Sequence, residues 1–125
     1  MSKLKIAANI MIIHGTVEIA GFAAALFANH MTGISIFALD FFAKNLLLIG
    51  IMGAIFGILR IFAAAKILRN EMSGFALGIV MCVITLTLMI FMIPSGIIDG
   101  IFAGAALILL LDVYFMKKKI VEEKK

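Results

Sequence analysis

Four long apolar segments constrain this chain more than any other feature. They run over about residues 6–28, 45–65, 72–93 and 97–116. Each is long enough to cross about 30 Å of hydrocarbon as a helix that rises about 1.5 Å per residue. The sequence therefore predicts an all-α, integral membrane four-helix bundle in which the whole chain, residues 1–125, forms a single transmembrane domain.

The composition excludes the soluble alternative. Hydrophobic residues make up 65% of the chain and charged residues 14%, whereas a soluble domain has about 25% charged residues. A chain of 125 residues has no single core that can bury so much apolar surface, so the lipid bilayer must be its solvent. The first apolar segment follows two lysines, as a signal peptide does, but it is too long and too polar for one. We expect it to be retained as a span.

The basic residues predict the orientation of the bundle. Outside the spans, only Lys44 lies on one side, and all the others lie opposite: Lys3, Lys5, Lys66, Arg69, Lys117, Lys118, Lys119, Lys124 and Lys125. The positive-inside rule therefore predicts a multi-pass protein of the cell (cytoplasmic) membrane with both termini in the cytoplasm. Residues 117–125 would form a basic cytoplasmic tail. This charge pattern gives no support to a nucleic-acid partner.

The connections between spans differ in length. Residues 29–44 are too many for a tight turn, and their apolar residues recur near helical spacing, so they predict a short interfacial helix between the first two spans. Pro94 and Gly96 lie between the last two spans. They predict a tight reversal that makes those spans an antiparallel hairpin.

Small residues recur every three or four positions along the predicted helices. Because lipid tails are as apolar as leucine, membrane helices associate through close backbone approach and hydrogen bonds. We therefore expect glycines to line the helix contacts. The main set is Gly50, Gly53, Gly57, Gly74 and Gly78, with Gly21, Gly100 and Gly104 as further members.

Ionisable residues interrupt the first span at His14 and Glu18. They are four residues apart, so they share one helix face, at depths of about 12 Å and 18 Å from the cytoplasmic end. Arg60 and Asp112 lie at similar levels on the second and fourth spans. We predict that these four residues form an ion or proton site, supported by Thr85 and Thr87, because ionisable groups at membrane depth are commonly functional.

The charges of this site do not balance. Glu18 and Asp112 are two carboxylates against the single guanidinium of Arg60. We expect Glu18, the deeper of the two, to remain unpaired in a low dielectric that disfavours its charged form. The same residues also admit a structural interpretation, in which they form a satisfied polar knot that sets the helix register.

Other polar residues have simpler interpretations. Asp99 follows the Pro94 turn, and we interpret it as a carboxylate favoured in the first turn of a helix. Cys82 is a lone cysteine, which excludes an intrachain disulfide and a cysteine-based metal site. His14 is the single intramembrane histidine, so a haem with two histidine ligands from one chain is excluded. We expect no metal ion and no cofactor.

Two features resemble the small multidrug resistance transporters. One is Glu18 in the first of four short spans, and the other is the motif IPSGI at residues 93–97. In that family the motif precedes a third helix with one more to follow, whereas here it opens the last helix. His14 and Arg60 have no counterparts there. We therefore transfer no family membership and no residue role.

Two functions remain as predictions. The first is an oligomeric channel or transporter, linked to protons or a cation through the buried carboxylate, with the lipid bilayer and other copies of the chain as partners. The second is a non-catalytic assembly, scaffold or lipid-binding subunit that joins other membrane subunits. We do not expect an enzyme, because no nucleophile–base pair and no metal-ligand set can be assembled from the spans.

Overall fold

The computed structural model describes residues 2–28, 41, 44–92 and 96–123. Within them the chain forms four α-helices, and each is long and apolar enough to cross a membrane. Their bounds are α1 Lys3–Ala28, α2 Leu46–Leu68, α3 Met72–Met89 and α4 Gly96–Glu123. The prediction of an all-helical protein with four candidate membrane spans is confirmed. The predicted interfacial helix lies outside the described residues except for Phe41 and Lys44. The Pro94 turn also lies outside them.

The helix α4 is longer than the predicted span. It continues from Gly96 to Glu123, so most of the segment predicted as a tail is helical. The physical reason is local, because residues 117–123 contain no glycine or proline and are rich in lysine and glutamate, which favour helices.

The connection between α2 and α3 is a tight turn built on Asn70. This residue has a φ of 61°, the left-handed conformation that asparagine tolerates better than most residues. Its amide donates to the carbonyl of Ile67 at 2.9 Å, and the amide of Glu71 donates to that of Lys66 at 3.0 Å. This pair of bonds is a Schellman motif, which ends α2 and directs the chain back as α3.

Consecutive helices run antiparallel, and each packs against two neighbours. The order around the bundle is α1, α2, α3, α4, with α4 returning to α1. Lys3 pairs with Asp112, so the start of α1, the C-terminal half of α4 and the α2–α3 connection share one end of the bundle. We call this the inner end. The opposite end, which carries the start of α4, is the outer end.

The helices α1 and α2 have the most extensive contact, and two glycines make it possible. A Cβ on Gly57 would lie 2.6 Å from the carbonyl oxygen of Gly15, and a Cβ on Gly15 would lie 2.7 Å from that of Gly57. The two backbones therefore touch, as predicted for Gly57. Gly74 plays the same part between α3 and α2, where its Cβ would lie 2.8 Å from the amide nitrogen of Ile67.

The other glycines give a mixed result. Gly78 faces the side chains of Met11, Ile67 and Leu110, whereas Gly100 faces that of Met89, and Gly53 makes an ordinary contact with α1. Gly50 is buried. The described residues give no support to the packing role predicted for Gly21 and Gly104, because none of their atoms lies within 4 Å of a Cβ on either glycine.

The apolar core occupies the inner half of the bundle. Its buried members come from all four helices: Ala7, Ala8, Met11, Ala63, Ala64, Ile67, Cys82, Ala103, Ala106 and Leu110. Most of them are small, so the helices approach closely here without glycine. Along each of the four helices, this core lies on the inner side of the buried polar residues described next.

Candidate functional site

The site is built around Arg60, whose side chain is fully buried in α2. Its Nε donates to Oε2 of Glu18 at 3.0 Å, and its Nη2 donates to Oε1 of the same carboxylate, also at 3.0 Å. This two-bond geometry is the strongest form of arginine–carboxylate pairing. Gly57 makes it possible, since it lies one turn from Arg60 and brings α2 against α1 at the level of Glu18.

A third helix contributes Thr85. The Nη2 of Arg60 also donates to Oγ1 of Thr85 at 2.7 Å, so one guanidinium joins α1, α2 and α3. Thr85 is buried, as expected of the supporting residue predicted from the sequence. Among the described residues, the Nη1 of Arg60 is buried and has no hydrogen-bond partner.

His14 connects this pair to α4. Its side chain is 1% exposed, and its Nε2 lies 3.1 Å from Oδ1 of Asp99 and 3.7 Å from Oε1 of Glu18. An ionised carboxylate only accepts hydrogen bonds, so Nε2 donates to Asp99 in the tautomer that carries the hydrogen on Nε2. The imidazole ring stacks on Phe102, with ring centroids 5.2 Å apart. Both α4 residues therefore hold the ring in one orientation.

Asp99 is the site residue that the sequence interpretation missed. It does lie in the first turn of α4, as predicted, but its carboxylate also contacts His14. Its side chain is 32% exposed, against 10% for Glu18. No spacing within a single helix could reveal this contact, because it depends on the antiparallel register of α1 against α4.

Asp112 does not belong to the site, and the predicted level match with Arg60 was wrong. It pairs instead with Lys3 at the inner end, where the two side chains are 49% and 46% exposed. Asp112 lies 13 residues from Asp99 on the same helix, about 20 Å along its axis. This distance separates it from the cluster.

Two further expectations need correction. Glu18 was expected to be the unpaired carboxylate, but Arg60 holds it with two hydrogen bonds. Thr87 was expected to support the site, but it is exposed and donates to the carbonyl of Val83 in its own helix at 2.9 Å. Thr87 is two residues from Thr85, which places it on another face of α3.

We call His14, Glu18, Arg60 and Asp99 the polar cluster. With both carboxylates ionised and His14 neutral, its formal charge is −1, because one guanidinium offsets only one carboxylate. A proton on His14 or one bound monovalent cation brings the sum to zero. The arrangement can therefore take up positive charge, and the atom that faces both carboxylates is Nε2 of His14.

Among the described residues, the exposure of the cluster is greatest toward the outer end and smallest toward the inner end. Asp99, its most exposed member, lies one turn from the start of α4. On the inner side lie the apolar core residues, including Met11, Ala64 and Leu110, which are 0–1% exposed. In the described part of the chain, no polar side chain of this core continues the path toward the inner end.

No known protein family, curated protein or solved structure matches this chain. The resemblance of Glu18 and the 93–97 motif to the small multidrug resistance transporters gains no support from these comparisons. The function has to be inferred from the chemistry of the polar cluster itself.

Proposed function

We propose that this protein is an oligomeric membrane transporter that takes up a proton or another cation at the polar cluster. The observation that carries the proposal is the polar cluster itself, in which buried His14 on α1 lies beside two carboxylates, Glu18 and Asp99, while the cluster holds a single guanidinium. An uncompensated charge is costly at membrane depth, so such groups mark ion or proton pathways more often than structural contacts.

The cluster suggests a division of roles. Arg60 orients the carboxylate of Glu18 through two hydrogen bonds. His14 lies between the two carboxylates and can exchange a hydrogen with either of them. Asp99, the most exposed of the three, would be the first to receive a proton or cation from the outer end. The route runs from Asp99 to His14 and then toward Glu18.

The apolar core determines how transport would proceed. Among the described residues, its tightly packed alanines leave no polar route from Glu18 to the inner end, so uptake in this arrangement would take place from the outer end. Release to the other side would require the inner ends of the helices to separate, or a second copy of the chain to complete the path. We therefore propose an oligomer with alternating access in place of a continuously open channel.

The positive-inside rule supports an orientation for this cycle. We propose that the inner end, with Lys3 and the α2–α3 connection, faces the cytoplasm, and that the cluster opens to the opposite side. A cysteine introduced at Ser2 tests this, because the native Cys82 is buried. We expect a membrane-impermeant maleimide to label Ser2→Cys in inverted vesicles but not in intact cells. Labelling of intact cells would reverse the proposed orientation.

Flux measurement tests the transport proposal. In proteoliposomes with a trapped pH-sensitive dye, we expect the wild-type protein to dissipate an imposed pH gradient. Glu18→Gln and Asp99→Asn should lower the rate at least about tenfold, because each removes an ionised group from the route. Asp112→Asn is the matched control, since it removes a carboxylate of the same helix outside the cluster, and it should keep the wild-type rate.

Equal rates for Glu18→Gln, Asp99→Asn and the wild type would rule out the proposal, as would the absence of flux with protons and with monovalent and divalent cations. Both variants replace a carboxylate by an amide of the same shape. A loss of rate that comes from misfolding would therefore appear as a loss of helical circular dichroism, and only folded variants are compared.

A scaffold role is the second proposal, and a different observation favours it. The guanidinium of Arg60 joins Glu18 and Thr85, so one residue ties three helices together. A structural knot of this kind needs no ion. It would leave the protein as a subunit that co-purifies with other membrane proteins and transports nothing. Pull-down in mild detergent together with the flux assay separates the two proposals.

A further inference from the structure

We propose that His14, Glu18 and Asp99 form a binding site for one divalent transition-metal ion, with Zn²⁺ as the reference ion. One ligand atom from each residue lies within 4.8 Å of the other two. The inference rests on the proposed function in one respect, because it names the class of cation that the polar cluster would take. The sequence alone predicted no metal site, since the third ligand comes from a helix whose register it does not specify.

The distances between the ligand atoms suit such an ion. Ligand atoms about 2.1 Å from one zinc ion lie about 3.0–3.4 Å from each other. The Nε2 of His14 lies 3.1 Å from Oδ1 of Asp99 and 3.7 Å from Oε1 of Glu18. Two of the three ligand–ligand distances are therefore close to those of a bound ion. Small rotations of the Glu18 and Asp99 side chains would bring their carboxylate oxygens to a similar distance from each other.

The donor types select the ion class. Calcium and magnesium prefer ligand sets made entirely of oxygen, whereas an imidazole nitrogen beside carboxylates suits zinc and its neighbours in the first transition row. With its ring hydrogen on Nδ1, His14 offers the lone pair of Nε2 as a nitrogen ligand, and the two other ligands are carboxylates. A set of one histidine and two carboxylates is thus a site for Zn²⁺, Mn²⁺ or Co²⁺ before it is one for Mg²⁺.

Neighbouring side chains hold the ligands in place. Arg60 donates to both oxygens of Glu18, and a carboxylate oxygen can accept a hydrogen bond and bind a metal with different lone pairs. Phe102 stacks on the ring of His14. Such outer contacts orient metal ligands and raise affinity. The geometry needed for binding is therefore largely present before the ion arrives.

The charge of Arg60 allows the bound metal ion to exchange. With His14 neutral, a divalent ion changes the formal charge of the cluster from −1 to +1, so neither the empty nor the loaded state is strongly favoured. Three protein ligands also leave at least one coordination position free, as in zinc sites that exchange a ligand. Asp99, the most exposed ligand, lies on the side from which an ion would enter.

Metal binding by the full-length, tag-free protein in detergent tests the site. We expect equilibrium dialysis with Zn²⁺ alone to give one bound ion per chain. Mg²⁺ added at the same concentration should not displace the bound Zn²⁺. Asp99→Asn and His14→Gln should each weaken Zn²⁺ binding at least about tenfold. Asp112→Asn controls for the loss of a carboxylate, and His30→Gln controls for binding by the chain's other histidine. Both controls should bind as the wild type does.

Co²⁺ supplies a second measurement that reports on the ligands directly. Its visible absorption depends on the number and type of coordinating atoms, so we expect a band in the wild-type protein that His14→Gln removes and His30→Gln keeps. Helical circular dichroism of each variant shows that it is folded. Should His14→Gln fail to fold, Asp99→Asn keeps the test decisive, because its side chain is already partly exposed.

The outcomes also separate this inference from the proposed function. Absence of Zn²⁺ binding by the folded wild type, or equal binding by Asp99→Asn, His14→Gln and the wild type, overturns the metal site. Proton flux that depends on Glu18 without any metal would then leave the transport proposal standing. Specific Zn²⁺ binding without flux of any ion would support the metal site and contradict transport.

Discussion

The inner and outer halves of this bundle are held together by different forces, although the same four helices build both. In the inner half, buried alanines such as Ala7, Ala63 and Ala106 let the helices meet through close apolar packing. In the outer half, the hydrogen bonds and ion pairs of the polar cluster join the helices in addition to close packing, such as that of Gly100 against Met89. Apolar packing tolerates small shifts, whereas the hydrogen bonds of Arg60 require one register. The comparison suggests that the outer half specifies how the helices align. The inner half packs tightly and excludes water and ions from between them.

Two of the ion pairs between helices illustrate the same contrast. Arg60 and Glu18 are almost fully buried, whereas Lys3 and Asp112 are about half exposed. Removal of one partner from a buried pair leaves a desolvated charge behind, but solvent compensates the loss in an exposed pair. The predictions below test this contrast, beginning with the largest expected effect.

Arg60→Met should be the most damaging single change. It leaves the carboxylate of Glu18 buried without its partner, so we expect the free energy of unfolding to fall by about 3–5 kcal/mol. Titration with sodium dodecyl sulfate, followed by circular dichroism, measures this in mixed micelles. The matched control is Arg69→Met, which removes an exposed arginine from the α2–α3 connection. A loss below about 1 kcal/mol for Arg60→Met would contradict the importance of the cluster.

The double variant Arg60→Met, Glu18→Leu sharpens this result. Replacing both members of a buried pair by apolar residues of similar volume is often neutral or stabilising. We therefore expect the double variant to recover most of the stability that Arg60→Met loses, while losing any ion binding. Equal destabilisation by the single and double variants would show that the shape of Arg60, and not its charge, holds the outer half together.

Gly57→Ala should be the second largest effect. The added Cβ would lie 2.6 Å from a backbone oxygen of Gly15, so α1 and α2 must move apart, at a cost of about 1–3 kcal/mol. Gly21→Ala is the matched control, because no atom of the described residues lies within 4 Å of its Cβ. It should keep the wild-type stability in the same titration. Similar losses for both would show that the contact of Gly57 with Gly15 does not cause the loss, because alanine itself favours a helix more than glycine does.

Thr85→Val should cost about 1 kcal/mol, because it removes one hydrogen bond to a charged group at nearly constant volume. Thr87→Val is its control, since Thr87 is exposed and bonds within its own helix. A double-mutant cycle that combines Thr85→Val with Arg60→Met isolates the pair. We expect the two losses to be non-additive, because the two residues share one bond.

The smallest effect is expected for the inner pair. Lys3→Met or Asp112→Asn should each change the free energy of unfolding by less than about 1 kcal/mol, since exposed pairs contribute little. The difference from the wild type should shrink further at about 1 M salt, where such charges are screened. A loss comparable to that of Arg60→Met would remove the distinction between the two halves.

Much of the site was within reach of the sequence, and the part that was missed has a definite cause. The spacing of His14 and Glu18 places them on one helix face, and the spacing of Gly57 and Arg60 places them on one face of α2. Both relations are local and depend only on helical geometry. The assignment of Asp112 to the cluster failed because it relied on depth counted from the basic residues. That count ignores how far one helix is shifted along another.

The sequence by itself determined that this protein has four apolar helices, because their length and hydropathy fit membrane spans. It also determined that a few ionisable residues lie within those spans, and the helical repeat places some of them on one helix face. Only the tertiary structure decided which carboxylate joins that site. Asp99 contacts His14, and Asp112 contacts Lys3, because the antiparallel packing of α1 against α4 sets their relative height. The backbone contact of Gly15 with Gly57 likewise sets α1 against α2, and hence Glu18 against Arg60. Contacts of this kind depend on shapes that meet across the bundle, and no repeat within one helix encodes them.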